Sequence, residues 1–149
     1  MISLGKMMPN IMETIRILTI DDEPVICKGC RVVLSDKGHA VSTCLTGRMG
    51  LDAVQKKFFD VILLDLKLPD MDGMDILRAV RKEKPGIYVI VMTGYSTVQT
   101  AVEAMKLGAF DYLGKPFSDD ELVIAVDRAI EKKHLVEENL LLTTAFDWR

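Results

Sequence analysis

Short, near-continuous apolar runs alternate along this chain with longer stretches whose apolar positions recur every three to four residues. The runs at Arg16–Ile20, His39–Cys44, Val61–Asp65, Ile87–Thr93 and Ala109–Leu113 predict five strands. The intervening stretches predict helices with recognisable ends. Pro24 suits a first helical position, and that helix runs to Asp36 before Gly38 stops it. Thr46 or its neighbour caps a second helix through about Lys57, with Leu51 and Val54 facing inward. Asp72 caps Met74–Glu83, which Pro85-Gly86 terminates. Ser96 or Thr97 caps a fourth helix with Val98, Ala101, Val102 and Met105 on one face, and Gly108 ends it. Ser118 opens the last helix with Glu121 three residues on, a capping-box spacing. Strands alternating with helices imply an α/β doubly wound parallel sheet, helices on both faces, with the most apolar run, Val61–Asp65, at its centre.

The last helix is longer than such a domain needs. It can continue without Pro or Gly to about Thr143, with apolar residues at Leu122, Val126, Ala129, Val136 and Leu140, interrupted by Lys133. That 3.5-residue repeat points to a coiled-coil seam. Its first half can dock on the sheet, whereas its second half needs a second copy, leads into a further domain, or frays. The expected layout is therefore a loose leader at 1–14, a folded domain at 15–132 and a dimerisation or linker segment at 133–149.

Composition narrows the class. At 149 residues the chain suits one domain, and 49% hydrophobic residues suit a sheet covered on both faces. A net charge of −3 recommends no direct nucleic-acid partner. Arg81–Lys84 and Lys132–His134 read as solvated helix ends, His134 included. No run approaches the ~18 apolar residues of a membrane span, and the opening residues lack a signal-peptide pattern. A cytoplasmic location is expected, in agreement with three cysteines that form no disulfide framework. Cys27 and Cys30 make a C-x-x-C, but Cys30 falls in the stripe Ile26, Cys30, Val33, Leu34 and reads as core rather than redox or metal site. His39 reads as a strand-edge packing residue.

The chemistry lies at the strand ends. The first strand runs into Asp21-Asp22, the third into Asp65, the fourth into Thr93, and the fifth leads to Lys115. In an open parallel sheet these ends share one edge, where ligands bind. Three carboxylates in one crevice repel each other unless a hard cation neutralises them, and a sparse all-oxygen set suits Mg²⁺. Asp65, ending the central strand, is best placed to attack a phosphoryl group and form an acyl phosphate. Lys115 and Thr93 then supply the charge and the hydroxyl donor that phosphoryl oxygens require.

At these residues the chain resembles the receiver domains of two-component response regulators, over about Arg16–Lys132. The matching motifs are Ile20-Asp21-Asp22-Glu23, Leu64-Asp65-Leu66 with Pro69 and Asp72-Gly73, Met92-Thr93-Gly94, and Lys115-Pro116-Phe117. The resemblance implies a flavodoxin-like (βα)5 fold with strand order 2-1-3-4-5. It implies that Asp65 accepts phosphate from a sensor histidine kinase, that Asp22, Asp65 and the Lys67 backbone carbonyl ligate Mg²⁺, and that Asp21 acts through water. It makes Thr93 and Tyr112 the switch pair and the Lys115–Pro116 bond cis. Residues Val98–Phe117 with the extended last helix resemble the NtrC-type, sigma-54-dependent activators, whose receivers precede an ATPase and a DNA-binding domain. The implied output is a change in self-association, a homodimer through the face of the fourth helix, fifth strand and fifth helix together with the Leu122–Leu140 seam.

Without a P-loop motif, the chain is expected to be a phosphoacceptor signalling domain, not an ATPase. Lys67 and Tyr95, two residues beyond Asp65 and Thr93, are candidates for screening water from the acyl phosphate. Rival readings are a haloacid-dehalogenase-type phosphatase, which wants Asp where Lys67 stands, and an FMN binder, which wants a Ser/Thr/Gly-rich loop where Asp21-Asp22-Glu23 stands. A stand-alone relay or adaptor remains a third.

Overall fold

The computed structural model describes residues 14–94 and 97–147, with side chains placed through Leu142. Its elements, in chain order, are β1 (Arg16–Ile20), α1 (Pro24–Asp36), β2 (Ala40–Cys44), α2 (Gly47–Lys56), β3 (Val61–Asp65), α3 (Gly73–Glu83), β4 (Tyr88–Thr93), α4 (Val98–Lys106), β5 (Asp111–Gly114) and α5 (Asp119–Asp147). All strand pairs are parallel, in the order β2-β1-β3-β4-β5, as expected.

Alternation along each strand builds two cores. Leu18, Ile20, Ile62, Leu64, Val89 and Val91 face α2, α3 and α4, meeting Val54, Ile76, Leu77 and Ala104. Their neighbours Ile17, Val61, Leu63, Ile90 and Met92 face the other way, meeting Leu34 of α1 and Leu122, Val126 and Ala129 of α5. Because both faces are covered, the inner strands β3 and β4 are near-continuously apolar, whereas the edge strands β2 and β5 carry polar residues.

Local side chains fix the helix ends. Thr46 Oγ1 accepts from Met49 N–H, Asp72 Oδ1 from Met74 N–H and Thr97 Oγ1 from Thr100 N–H. Ser118 and Glu121 close the capping box reciprocally, at 3.0 and 2.8 Å. Thr97 is therefore the fourth cap, and Ser96, the alternative, lies outside the described residues, as does Tyr95. Gly38 and Gly108 adopt φ of 91° and 104°, left-handed turns that halt α1 and α4. That turn shortens the fifth strand at its start. Ala109 N–H still bonds to Ala104 O to close α4, and sheet pairing begins at Phe110 N–H to Val89 O.

Three expectations about the basic stretches and the last helix need correction. Lys133 is not a solvated residue. Only 9% exposed, it donates to Gly86 O at 3.0 Å and pairs with Glu137 at 3.0 Å and, more loosely, with Asp60 at 3.9 Å. Its long stem covers apolar surface while its ammonium finds oxygen at the lower sheet edge. His134, one residue on, is half-buried rather than exposed. The Leu122–Leu140 seam is also not one surface, because Leu122, Val126 and Ala129 are consumed by the sheet core. The part beyond His134 stands clear, with Leu135, Val136, Leu140, Leu141 and Leu142 exposed on a helix that continues to Asp147. No helix of the described residues is long and apolar enough to cross a membrane.

Candidate functional site

Register places the chemistry. Ile20 pairs with Leu64, Asp65 with Met92, and Thr93 with Gly114, so the residues ending or following β1, β3, β4 and β5 gather at one sheet edge. Asp21 is fully buried and its Oδ1 accepts from Glu23 N–H at 2.9 Å. Asp65, 3% exposed, holds Lys67 N–H with Oδ1 at 2.9 Å. Each carboxylate is thus aimed by a bond to the backbone two residues on, which leaves its other oxygen for the crevice.

Lys115 reaches into that crevice from across the sheet. Its N–H donates to Thr93 O at 3.0 Å, and the following bond to Pro116 is cis. Its Nζ lies 2.7 Å from Asp21 Oδ2, 2.9 Å from Glu23 Oε2 and 3.1 Å from Asp65 Oδ2. The Asp21 contact is ionic but poorly angled for a hydrogen bond, which leaves that buried oxygen short of a directional partner. One oxygen each from Asp21, Asp22, Glu23 and Asp65 falls within 4.8 Å of the others. Four carboxylates against one ammonium leave the crevice with surplus negative charge.

The electrostatics follow that imbalance. Burial raises the pKa of Asp21, with Asp65 adding to the effect, while the ion pair with Lys115 and the bond from the Glu23 amide oppose it. Burial works against the charge of Lys115, but its pairing with Asp21, Glu23 and Asp65 outweighs it and holds the ammonium well above its ordinary range. Such a site stabilises added positive charge.

The response regulator receiver domain family matches residues 17–127. The chain belongs to that family. It is 36% identical over 133 residues to the transcriptional regulatory protein ZraR of Escherichia coli O157:H7, which covers 89% of this chain and 30% of ZraR. The structure of NtrX from Brucella abortus superposes with a TM-score of 0.83 at 32% identity, over 88% of this chain and 30% of that one. The beryllofluoride-activated NtrC4 receiver domain dimer superposes with 0.76 at 36% identity, over 79% of this chain and 98% of that one. This receiver thus spans about 30% of the length of the curated relatives it matches, and its NtrC-type resemblance stands. The phosphatase and flavin readings give way to it.

Other expected residues of the receiver lie as follows. Thr93 is buried at the end of β4. Tyr112, half-buried, packs on the core beneath α4 and is in register with Val91. Val91 and Thr93 are two apart on one strand, so Thr93 and Tyr112 share a sheet face. Lys67 is exposed, and its backbone pairs with Asp72 across the loop that leaves Asp65. Glu23 was not anticipated as a site residue. Its only sequence signal is the acidic run Asp21-Asp22-Glu23, which does not say that the third carboxylate turns back toward Lys115.

The cysteines are buried, and Cys27 Sγ donates to Asp21 O at 3.3 Å. Burial first, then nearby negative charge, pushes Cys27 up to about 11 and Cys30 up to about 12. These thiols stay protonated and serve as packing. Burial likewise lowers the pKa of half-buried His39, with Asp127 opposing, so it packs as a neutral ring.

Proposed function

We propose that this receiver accepts a phosphoryl group on Asp65 from a sensor histidine kinase and uses the resulting change to govern an output domain through self-association. The observation that carries this reading is Asp65 beneath Lys115 amid three further carboxylates. A carboxylate oxygen of Asp65 attacks phosphorus, the bond from phosphorus to the donor imidazole breaks, and that imidazole leaves and takes up a proton. The all-oxygen donor set fits Mg²⁺, with Asp22, Asp65 and the Lys67 carbonyl as direct ligands and Asp21 through water. When bound, the cation offsets charge on the equatorial phosphoryl oxygens. Lys115 binds one of those oxygens, and Thr93 donates its hydroxyl to another.

Once Thr93 turns toward the phosphoryl group, Tyr112 on the same sheet face fills the space left behind, and the surface of α4, β5 and α5 repacks. This is a shift between two arrangements, as large as the phosphoryl group's preference for one of them. Val98, Val102 and Met105 are exposed on α4, and α5 projects beyond the body. A homodimer formed through α4, β5, α5 and the projecting helix would cover these residues, in keeping with the dimer of the activated NtrC4 receiver. The chain's own segments then read as a leader at 1–14, a receiver at 15–132 and a dimerisation or linker segment at 133–149. The setting is cytoplasmic, with neither nucleic acid nor membrane bound by this segment. A stand-alone relay that passes phosphate onward shares every feature of the site and differs only in using the α5 extension for nothing.

The test is mass by light scattering with Mg²⁺, with and without beryllofluoride. A change in oligomeric state, together with protection of α4 and α5 amides, supports the self-association output. Identical mass and identical protection would leave the relay reading.

A further inference from the structure

The loop 66–72, which leaves the phosphoacceptor strand, is closed at its base by its own backbone. Lys67 bridges Asp72, and Gly73 N–H donates to Leu66 O at 3.1 Å. Its outer tip is held from outside. Asp70 Oδ1 accepts from Gly47 N–H and Oδ2 from Arg48 N–H, each at 2.9 Å. These are the first two residues of α2, whose local cap Thr46 serves Met49 N–H instead. A residue 23 positions further along the chain thus satisfies two of the orphan amides of that helix. Those two amide bonds hold the Asp70 carboxyl below the usual carboxylate range.

Packing at the same junction confirms the clamp independently. A Cβ on Gly47 would lie 2.4 Å from Met71 Cγ and 2.9 Å from Ile76 Cδ1, so the bare glycine lets the Met71 side chain seat directly against the start of α2. Asp70 and Met71 together dock the tip onto the start of that helix.

We propose that Asp70 is a positioning residue for the cation site, fixing the Lys67 carbonyl by clamping loop 66–72 onto α2. The proposal rests on the Mg²⁺ reading above. Asp65 ends a sheet strand, and Asp21 and Asp22 directly follow one, so the ladder sets their places. Lys67 sits instead in the loop that Asp70 tethers. Released from α2, the loop samples more conformations, and ordering it again on binding lowers affinity.

Calorimetric titration of Mg²⁺ into the unphosphorylated full chain tests this, alongside amide exchange at Gly47 and Arg48 and the thermal midpoint. Asp70→Ala is expected to bind Mg²⁺ about 10-fold more weakly, the low end of what outer partners contribute at metal sites. Both amides should exchange faster, and phosphorylation should recover at saturating Mg²⁺. Asp70→Asn keeps one acceptor oxygen and should fall between the two. Faster exchange with unchanged Mg²⁺ affinity would make Asp70 a helix cap alone and overturn the proposal. A wild-type chain that binds no Mg²⁺ would instead remove the cation reading, and this proposal with it.

Discussion

Asp65→Asn is expected to abolish phosphorylation while leaving the chain folded and slightly more stable. The amide has no anionic oxygen to attack phosphorus, so the loss should be complete rather than partial. The fold should survive because Asn retains an acceptor for Lys67 N–H at the place of Oδ1. Lys115 is not stranded by the change, since Asp21 and Glu23 remain at 2.7 and 2.9 Å. Asp65 faces three other carboxylates and one ammonium, so removing its charge relieves more repulsion than attraction. A gain on the order of 1 kcal/mol matches a partly screened charge pair at this range. The gain should shrink in Mg²⁺, because the cation gives the wild-type chain the same relief. Mass spectrometry after exposure to a small phosphoryl donor, with thermal melts with and without Mg²⁺, reads both effects. Phosphate still found on residue 65, or a marked loss of stability without Mg²⁺, would reject the assignment.

The architecture was legible because the central strands are buried on both faces and each helix carries its own stop or cap. Val61–Asp65 could hardly be anything but a central strand, and Ser118 with Glu121 marks a helix start to the residue. The site was legible for a related reason. Parallel strands bring their ends to one edge, so Asp21, Asp65, Thr93 and Lys115 could be grouped before any distance was known. What escaped the sequence depends on side-chain direction beyond the backbone period. Glu23 sits at the N-cap of α1, a position from which a long side chain can reach water or Lys115. Lys133 has the composition of a surface residue, and only the nearness of Gly86 and Asp60 draws it inward. The helical repeat of α5 keeps its period from Leu122 to Leu140, yet the sheet claims one half and leaves the other free. Periodicity shows which positions share a face, not what lies against it.

Leu63→Ala is expected to cost about 2–5 kcal/mol, the range for truncating a fully buried leucine. Against a typical domain stability of about 5–15 kcal/mol, that is a large share. Leu63 lies in the middle strand, flanked in register by Thr19 and Ile90, and its side chain is wholly buried in the core that α1 and α5 cover. Hydrogen bonds to β1 and β4 fix its backbone on both sides, so the sheet cannot collapse into the space left behind. The cost should therefore sit in the upper part of the range. Val136→Ala on the emerging part of α5 is the control. Val136 is partly exposed, and its truncation in the monomer should stay within about 0.5 kcal/mol. Denaturant titration should show the midpoint of Leu63→Ala falling with an unchanged slope, since the surface exposed on unfolding is nearly the same. Phosphorylation of the folded fraction should persist, because the atoms removed lie within the apolar core and not among the carboxylates. If the two variants lost equal stability, β3 would not be the strand around which both cores are built.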